Sequence, residues 1–160
     1  MDITGYYPGA IGKVTEVHAK YYHEHWGFDS SFETQIAQEL AKFVHAFRKD
    51  RDGLWIARHG GTLTGSIAID GRKVRTEGVR LRWFIVVPDF QGCGIGRQLL
   101  DRAVEFCRQK GYKVIFLWTF QGLAAARALY EHTGFRMSEA HEIEQWGNVL
   151  TEQKFELLLQ

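Results

Sequence analysis

The chain has 160 residues, of which 45% are hydrophobic and 24% are charged, so its size and composition are those of one soluble globular domain. An aromatic content of 14% excludes a disordered chain, and the presence of only two prolines excludes collagen-like and low-complexity classes. The formal net charge of +1 gives no long-range attraction for nucleic acid or for an anionic membrane, and we expect neither as a partner.

Cysteine content and hydropathy bear on the cellular compartment. Cys93 and Cys107 are too few for a disulfide framework, and neither has the spacing of a metal ligand, so no metal is expected. No apolar run reaches the ~18 residues of a membrane span, and the N-terminal segment lacks the charged-then-apolar order of a signal peptide. We therefore expect a reduced, cytoplasmic protein.

Hydrophobic periodicity predicts two helices and three strands in the first half of the chain. Apolar residues three and four positions apart predict helices over Ile11–His25 and Phe32–Arg48, and a short strand before them is left open. The stretch Leu54–Asp70 predicts two strands about a His-Gly-Gly turn. A further strand is predicted over Val79–Val87, with its continuously apolar end buried on both faces, and Pro88 ends it.

Helices and strands alternate in the second half. A helix is predicted after the glycine-rich segment Gln91–Gly96, and Gly111 ends it. The elements predicted next are a strand (Lys113–Thr119), a helix (Leu123–His132) and two strands (Phe135–Ile143 and Val149–Leu159). This order predicts a mixed α/β fold in a single domain over residues 1–160.

Gly92, Gly94 and Gly96 stand between an apolar strand and a helix. Amides at a helix start attract anions, and glycines allow positive φ and leave room for a phosphate; Arg97 adds a charged donor. A dinucleotide site needs GxGxxG and a later acidic residue, and a P-loop needs Gly-Lys, so this segment matches neither. A turn that only packs the helix against the strand is the structural alternative.

The segment VVPDFQGCGIGRQLL (Val86–Leu100) resembles the acyl-CoA pyrophosphate loop of the GNAT family of N-acetyltransferases. Downstream, ALYEHTGF (Ala128–Phe135) is similar to that family's second motif, and the two motifs follow in the family's order and spacing. The resemblance covers most of the chain. It is closest to small bacterial members, some of which are fused behind a MarR-type DNA-binding regulator, a domain that is not among these residues.

The resemblance implies one domain with helices on both faces of a mixed, mostly antiparallel sheet, splayed between the parallel strands Val79–Val87 and Lys113–Thr119. It implies acetyl-CoA, with its pyrophosphate on the amides of Gln91–Arg97 and its pantetheine arm on the backbone of Ile85 and Val87. The implied cofactor-binding residues are Ile85, Val86, Val87, Gln91, Gly92, Cys93, Gly94, Ile95, Gly96, Arg97, Leu123, Arg127 and Tyr130. Family members often carry asparagine at the position of Leu123, so that contact to the arm is missing here.

By the same resemblance, Tyr130 protonates or hydrogen-bonds the coenzyme A sulfur, with a core tyrosine as the alternative. A backbone N–H near Ile85 or Val86 can stabilise the oxyanion. Some members carry a glutamate base early in the Val79–Val87 strand, where this chain has Arg80 and Arg82. The remaining candidate bases are His141, Glu142 and Glu144, each of which can also be a solvated strand position. A water chain, or an amine that arrives neutral, is an equal alternative.

An acceptor pocket is expected between the first two helices and the last hairpin. Its candidate lining residues are Tyr22, Trp26, Phe28, Arg82, Trp118 and Trp146, and the aromatic ones can equally be core residues. Arg82 is either the partner of an acceptor carboxylate or, slightly favoured, a surface residue.

The sequence thus predicts an acetyl-CoA-dependent N-acetyltransferase that acts on a small-molecule amine in a ternary complex. The alternatives are a protein or peptide acetyltransferase, an acyl-CoA sensor without activity, and an unrelated phosphate-binding module. Because C-terminal strands often pair between subunits in this family, a homodimer is the expected assembly.

Overall fold

A computed structural model describes all residues from 1 to 160. In chain order, its elements are β1 (Asp2–Thr4), α1 (Ala10–Trp26), α2 (Ser30–His45), β2 (Gly53–His59), β3 (Thr62–Asp70), β4 (Val79–Val86), a 3₁₀ turn (Pro88–Phe90), α3 (Ile95–Lys110), β5 (Val114–Phe120), α4 (Ala124–Thr133), β6 (Arg136–Gln145) and β7 (Asn148–Leu158). The predicted elements are confirmed in type and order, and the strand that was left open before the first helix is β1.

Helix ends follow from local chemistry. The Asp29 carboxylate accepts a hydrogen bond from the backbone N–H of Ser31 at 3.0 Å and so caps the start of α2. Helix α3 ends where Gly111 takes a left-handed conformation, with φ of 75°. None of the four helices combines the length and the apolar character that a membrane crossing requires.

The seven strands form one sheet in the order β1-β2-β3-β4-β5-β7-β6. Every neighbouring pair is antiparallel except β4 and β5, which are parallel and pair only at Val79 with Ile115 and at Arg80 with Phe116. Beyond these pairs the two strands diverge, which confirms the predicted splay. The divergence leaves the C-terminal half of β4 without a neighbour on that side.

A β-bulge in β4 changes which side chains lie on which face of the sheet. The β3–β4 register shifts between Ser66 and Ala68, and Trp83 takes a φ of 47°, which is rare for a residue with a side chain. The buried Ser66 hydroxyl donates to the Trp83 carbonyl at 2.7 Å and stabilises this conformation.

Contacts on each side of the bulge show the reversal. Arg82 forms an ion pair with Glu39 of α2, and the Trp83 ring packs 5.3 Å from the ring of Phe43, also in α2. Phe84, the next residue, packs instead 5.9 Å from the ring of Tyr130 in α4. Arg82 and Trp83 therefore both lie on the face of the sheet that α1 and α2 cover. Beyond them, the side chains of β4 alternate between the two faces in the opposite phase.

The apolar end of β4 was predicted to be buried on both faces, and this is wrong. Phe84 and Val86 are only partly buried, because their side of the strand borders the gap left by the divergence from β5. The main core lies between the sheet and α3, and a second core lies under α1 and α2. The helices thus cover both faces, as predicted.

Gly65 of β3 allows α3 to approach the sheet, and we expect Gly65→Ala to destabilise the fold. A Cβ atom there would lie 2.9 Å from the Ile85 carbonyl oxygen and 3.0 Å from Cδ1 of Leu99. Such overpacking costs about 1–3 kcal/mol in the free energy of unfolding, measurable by urea denaturation. The matched control is Gly12→Ala on the exposed side of α1, where a Cβ meets no atom within 4 Å; it should stabilise by about 0.5–1 kcal/mol. Equal effects of the two substitutions would contradict this account.

Candidate active site

A cleft of about 1190 Å³ opens where β4 and β5 diverge. It brings together most of the predicted site residues. The predicted residues that line it are Tyr22, Trp26, Arg82, Ile85, Val86, Gln91, Gly92, Gly94, Gly96, Arg97, Trp118, Leu123, Tyr130 and Trp146. The predicted residues that do not line it are Phe28, Val87, Cys93, Ile95, Arg127, His141, Glu142 and Glu144.

Residues 91–97, which we call the amide loop, present a row of unused backbone donors at one end of the cleft. None of the amides of residues 92–97 donates a hydrogen bond to the backbone or to a side chain of the chain. The first bond of α3 is donated by Gln98 to the Gly94 carbonyl, and Gly94 has a left-handed φ of 83°. Free amides at a helix start form an anion-binding site. The Ile95 side chain is buried in the core, so only its backbone can contribute.

The edge of β4 that faces the cleft adjoins this loop. The residues whose backbone groups point into the cleft along that edge differ from the predicted ones. The Val87 N–H donates to the Thr64 carbonyl at 2.9 Å, so it is used within the sheet. Backbone groups alternate in direction along a strand, so Ile85 also points toward β3, whereas Phe84 and Val86 point into the cleft. Ile85 and Val87, which were predicted to bind a pantetheine arm, therefore use their backbone groups within the sheet, and the edge that faces the cleft is formed by Phe84 and Val86. The Gln91 side-chain amide donates to the Val86 carbonyl at 3.1 Å.

Tyr130 lies beside this edge, with only 5% of its surface exposed. Aromatic rings surround it, with centroid distances of 5.9 Å to Phe84, 5.8 Å to Phe135 and 6.2 Å to Phe155. Burial raises the pKa of Tyr130 well above its ordinary value, and the nearby Tyr22 hydroxyl raises it further. The phenol is therefore a neutral hydrogen-bond donor throughout the physiological pH range.

An aromatic cluster lies at the other end of the cleft. The cluster consists of Tyr22, Trp26, Phe28, Phe32, Phe120 and Trp146. Trp146 and Gly147 both have positive φ in the two-residue turn between β6 and β7, and the Trp146 indole N–H donates to the Gln35 side chain at 3.0 Å. Phe28, predicted to line the pocket, is 2% exposed and supports the cluster from below.

We call the end of the cleft that holds the aromatic cluster the acceptor end, after the predicted acceptor pocket. Almost all charged groups there are paired. Arg82 contacts the carboxylates of Glu39 and Asp70, and its side chain is 11% exposed, so the favoured prediction of a surface residue is wrong. Asp70 also accepts three hydrogen bonds from Arg72, two from the guanidinium and one from the backbone N–H. Arg80 borders the same cleft and forms no ion pair.

The predicted bases lie on the exposed strand β6, outside the cleft. Glu142 and Glu144 point to solvent. His141 Nε2 lies 3.0 Å from the carboxylate of Glu152, which does line the cleft. The sequence analysis missed Glu152. The two-residue turn at Trp146 and Gly147 fixes the register of the hairpin, so counting outward from it would have placed Glu152 opposite His141.

His18 was also missed, although it lines the cleft and is 4% exposed. Its Nδ1 lies 2.8 Å from the Val14 carbonyl oxygen, which can only accept, so Nδ1 carries the proton. The Nε2 atom then has a buried lone pair without a partner. Burial lowers the pKa of His18 to about 4. No group of three or more His, Cys, Asp or Glu side chains in the chain has an arrangement that could hold a metal ion.

The cleft has three features in a row: free amides at a helix start, a free strand edge beside them, and a buried phenol further along. This arrangement suits an extended ligand with a phosphate at one end. The acetyltransferase (GNAT) family model matches residues 13–135. An uncharacterized N-acetyltransferase of Methanocaldococcus jannaschii is 26% identical over 123 residues, which are 74% of this chain and 54% of that protein.

Solved structures share the fold. An acetyltransferase of the GNAT family from Staphylococcus aureus has a TM-score of 0.78 at 17% identity, over 99% of both chains. An acetyltransferase from Salmonella typhimurium, solved with its cofactor acetyl-CoA, has a TM-score of 0.74 at 20% identity, over 100% of this chain and 94% of that one.

The chain belongs to the acetyltransferase (GNAT) family, because the family model covers most of its length. The resemblance stated from the sequence motifs is thus confirmed at the level of the family. The chain spans about half the length of the archaeal relative that it matches.

His18 predicts a specific loss of stability in acid. Its pKa is about 4 in the folded chain against 6.5 ordinarily, so the folded state resists protonation. The stability that this neutral form contributes is complete above about pH 6.5 and is lost as the pH falls toward 4. Relative to His18→Leu, the wild type should lose about 2–3 kcal/mol in unfolding free energy between pH 7.5 and pH 4.5, as measured by urea denaturation.

The control for His18 is the same substitution at His45, which is exposed at the end of α2. His45→Leu should follow the wild-type pH dependence within about 0.5 kcal/mol, because His45 is exposed and substitutions at such surface positions usually change stability by no more than that. A His18→Leu difference that stays constant with pH would contradict the buried neutral histidine.

Proposed function

We propose that the chain is an acetyl-CoA-dependent N-acetyltransferase that transfers an acetyl group to the primary amine of a small molecule by direct attack. The observation that carries this proposal is the row of six unused amides, residues 92–97, beside the free edge of β4. A diphosphate needs several donors at one point, and the two amides of a pantetheine arm need partners such as a neighbouring strand would offer. Family membership supports the same assignment.

The amide loop would hold the pyrophosphate with the amides of residues 92–97, with Arg97 adding a charge at the cleft surface. Cys93 then contributes through its backbone alone. The arm would lie along β4 with its amides on Phe84 and Val86. Leu123, at the start of α4, offers only an apolar contact and no side-chain cap. Arg127 pairs with Glu131 and does not line the cleft, so we assign it no direct contact.

The thioester would then lie near the bulge, between Val86 and Tyr130. The amine attacks the thioester carbonyl, and the backbone N–H that points into the cleft stabilises the developing oxyanion; such a donor typically contributes about 3 kcal/mol. The C–S bond breaks as the tetrahedral carbon collapses, and the Tyr130 hydroxyl donates a hydrogen bond to the leaving sulfur. The nitrogen gives up one proton as it becomes an amide, and the thiolate takes up one proton to leave as the free thiol. Because burial raises the pKa of Tyr130, the phenol stays protonated and able to donate.

The ammonium of the acceptor has to lose a proton before it attacks. We propose that Glu152 accepts this proton, with His141 hydrogen-bonded behind it at 3.0 Å. His141, which was predicted as a base, would then act only through Glu152, because His141 itself is outside the cleft. Glu142 and Glu144 have no contact through which to act.

The aromatic end of the cleft favours a small molecule over a peptide, because the Trp146 turn packs against α2 and narrows the space there. Names of similar proteins range from ribosomal-protein-alanine to spermidine N-acetyltransferase, so they do not select an acceptor. A peptide acetyltransferase, an acyl-CoA sensor and another phosphate-binding module remain the competing functions. The homodimer, the cytoplasmic location and the similarity to MarR-fused members stay predictions.

The decisive experiment measures free thiol released from acetyl-CoA in the presence of amino acids, polyamines and aminoglycosides. We expect release with at least one amine class, and Tyr130→Phe should lower kcat by about 100-fold while KM for acetyl-CoA changes little. The lost hydrogen bond is made only to the developing thiolate, so binding should survive its loss.

Tyr6→Phe is the matched control, because Tyr6 is 55% exposed and lies outside the cleft. Its kcat should equal that of the wild type. Unchanged turnover in Tyr130→Phe would remove the assigned role. Coenzyme A binding without thiol release for any amine would favour the sensor, and preferential binding of nucleotides would favour the phosphate-binding module.

The amide loop is tested by Gly94→Ala with Gly111→Ala as its control. Both glycines have left-handed φ, of 83° and 75°, and both have open space around a Cβ, so each variant should lose about 1–2 kcal/mol of stability. Only Gly94→Ala disturbs the turn that directs the free amides, so it alone should weaken coenzyme A binding, by about tenfold in calorimetry. Equal affinities of the two variants would contradict the loop assignment.

A further inference from the structure

Arg80 lines the part of the cleft near α2 and has no hydrogen-bond or ion-pair partner in the protein. It belongs to the last residue pair of β4 and β5 before the strands diverge, and it lines the cleft. Its Nε atom is fully buried and makes no hydrogen bond. Burial and the neighbouring charge of Arg82 lower the pKa of Arg80 to about 10, so it is still charged at neutral pH.

Nearby carboxylates do not neutralise Arg80. Those of Glu39, Asp70 and Glu152 are close enough to affect its pKa. Glu39 and Asp70 pair with Arg82, however, and Glu152 contacts His141. A charge removed from water without a partner is costly, and buried arginines are normally paired. Arg80 therefore has the features of a group that completes its contacts with a ligand.

The position of Arg80 decides which ligand this is. Arg80 and Arg82 share a face of β4, because the register with β3 is regular from Asp70 opposite Arg80 to Ala68 opposite Arg82. That face is covered by α2, whereas Phe84 and Val86 are on the opposite side of the bulge. Arg80 is also about 20 Å along the strand from Val86, and hence far from the amide loop. It cannot reach the diphosphate of a cofactor bound there.

We propose that Arg80 binds a carboxylate of the acceptor, so that the acceptor is an amino acid or another small amine that carries a carboxylate. The proposal rests on the proposed acetyltransferase function and names its substrate class. The planar guanidinium can bind a carboxylate through two parallel hydrogen bonds. Glu152, of opposite charge, lines the same cleft without pairing to Arg80, and it would face the ammonium of the acceptor. The two groups together match a zwitterion.

The experiment compares thiol release for a panel of α-, β- and ω-amino acids, each paired with its carboxamide. The acids should exceed their amides by about 10- to 100-fold in kcat/KM, as expected for one charged hydrogen-bonded contact. The α-amino group of an amide is less basic and more often neutral, so amine reactivity alone predicts the opposite order. Amides that react as well as their acids would overturn the proposal and leave the acetyltransferase function intact.

Arg80→Met tests the residue itself. The variant should abolish the preference for acids, mainly by raising their KM by about 10- to 100-fold, while turnover of the amides and coenzyme A affinity stay unchanged. Its melting temperature should be equal or higher, because the substitution removes an unpaired charge that is partly buried. Arg102→Met, on the exposed side of α3, is the matched control and should behave as wild type in every assay. A preference for acids that persists in Arg80→Met would refute the role of Arg80.

Two further measurements keep the outcomes distinct. If Arg80→Met fails to fold, Arg80→Lys retains the charge but not the two-point contact, and it should show a reduced preference for acids. If no amine supports thiol release, the proposed function fails. Thermal shift of the protein saturated with coenzyme A then tests the carboxylate site alone. Stabilisation by amino acids and not by their amides would support the site, and equal shifts would overturn it.

Discussion

The rest of the molecule depends on the divergence of β4 from β5 after two residue pairs. A strand inside a sheet normally satisfies its backbone groups on both sides, and here those of Phe84 and Val86 have no strand partner on one side. The α3 amides add further unused donors at the end of the same strand. A ligand with complementary groups can replace water at these donors and acceptors and so bind along the whole row.

In the proposed reaction, the bulge at Trp83 would separate the two substrates. On the α3/α4 side, Phe84 and Val86 meet Tyr130, and this is the side suited to the thioester arm. On the α1/α2 side, β4 presents its two arginines beneath the aromatic cluster. The gap between the strands connects the two sides, so a thioester and an amine can meet within the sheet while each is held by a different layer of the fold.

Charge in the acceptor end is distributed unevenly. Arg82 was the arginine that the sequence offered as a candidate to bind an anion, yet its guanidinium already forms ion pairs with Glu39 and Asp70. These contacts hold α2 against β4 and so shape the cleft. Arg80, two residues earlier, is left charged and unpaired. One arginine thus serves the structure, and the other is available to a substrate.

The amino-acid sequence by itself determined the elements, the family and the amide loop, because glycine spacing, capping residues and hydrophobic periodicity are local properties. The sequence also predicted that Tyr130 belongs to the site, because Tyr130 lies within a contiguous motif. The tertiary structure alone decided that Phe84 and Val86, not Ile85 and Val87, form the free edge, since one bulge reverses every later position on the strand. It also decided that Arg82 is paired and Arg80 is not, because the partners of Arg82 come from α2 and from the end of β3, and no local pattern along the chain specifies them.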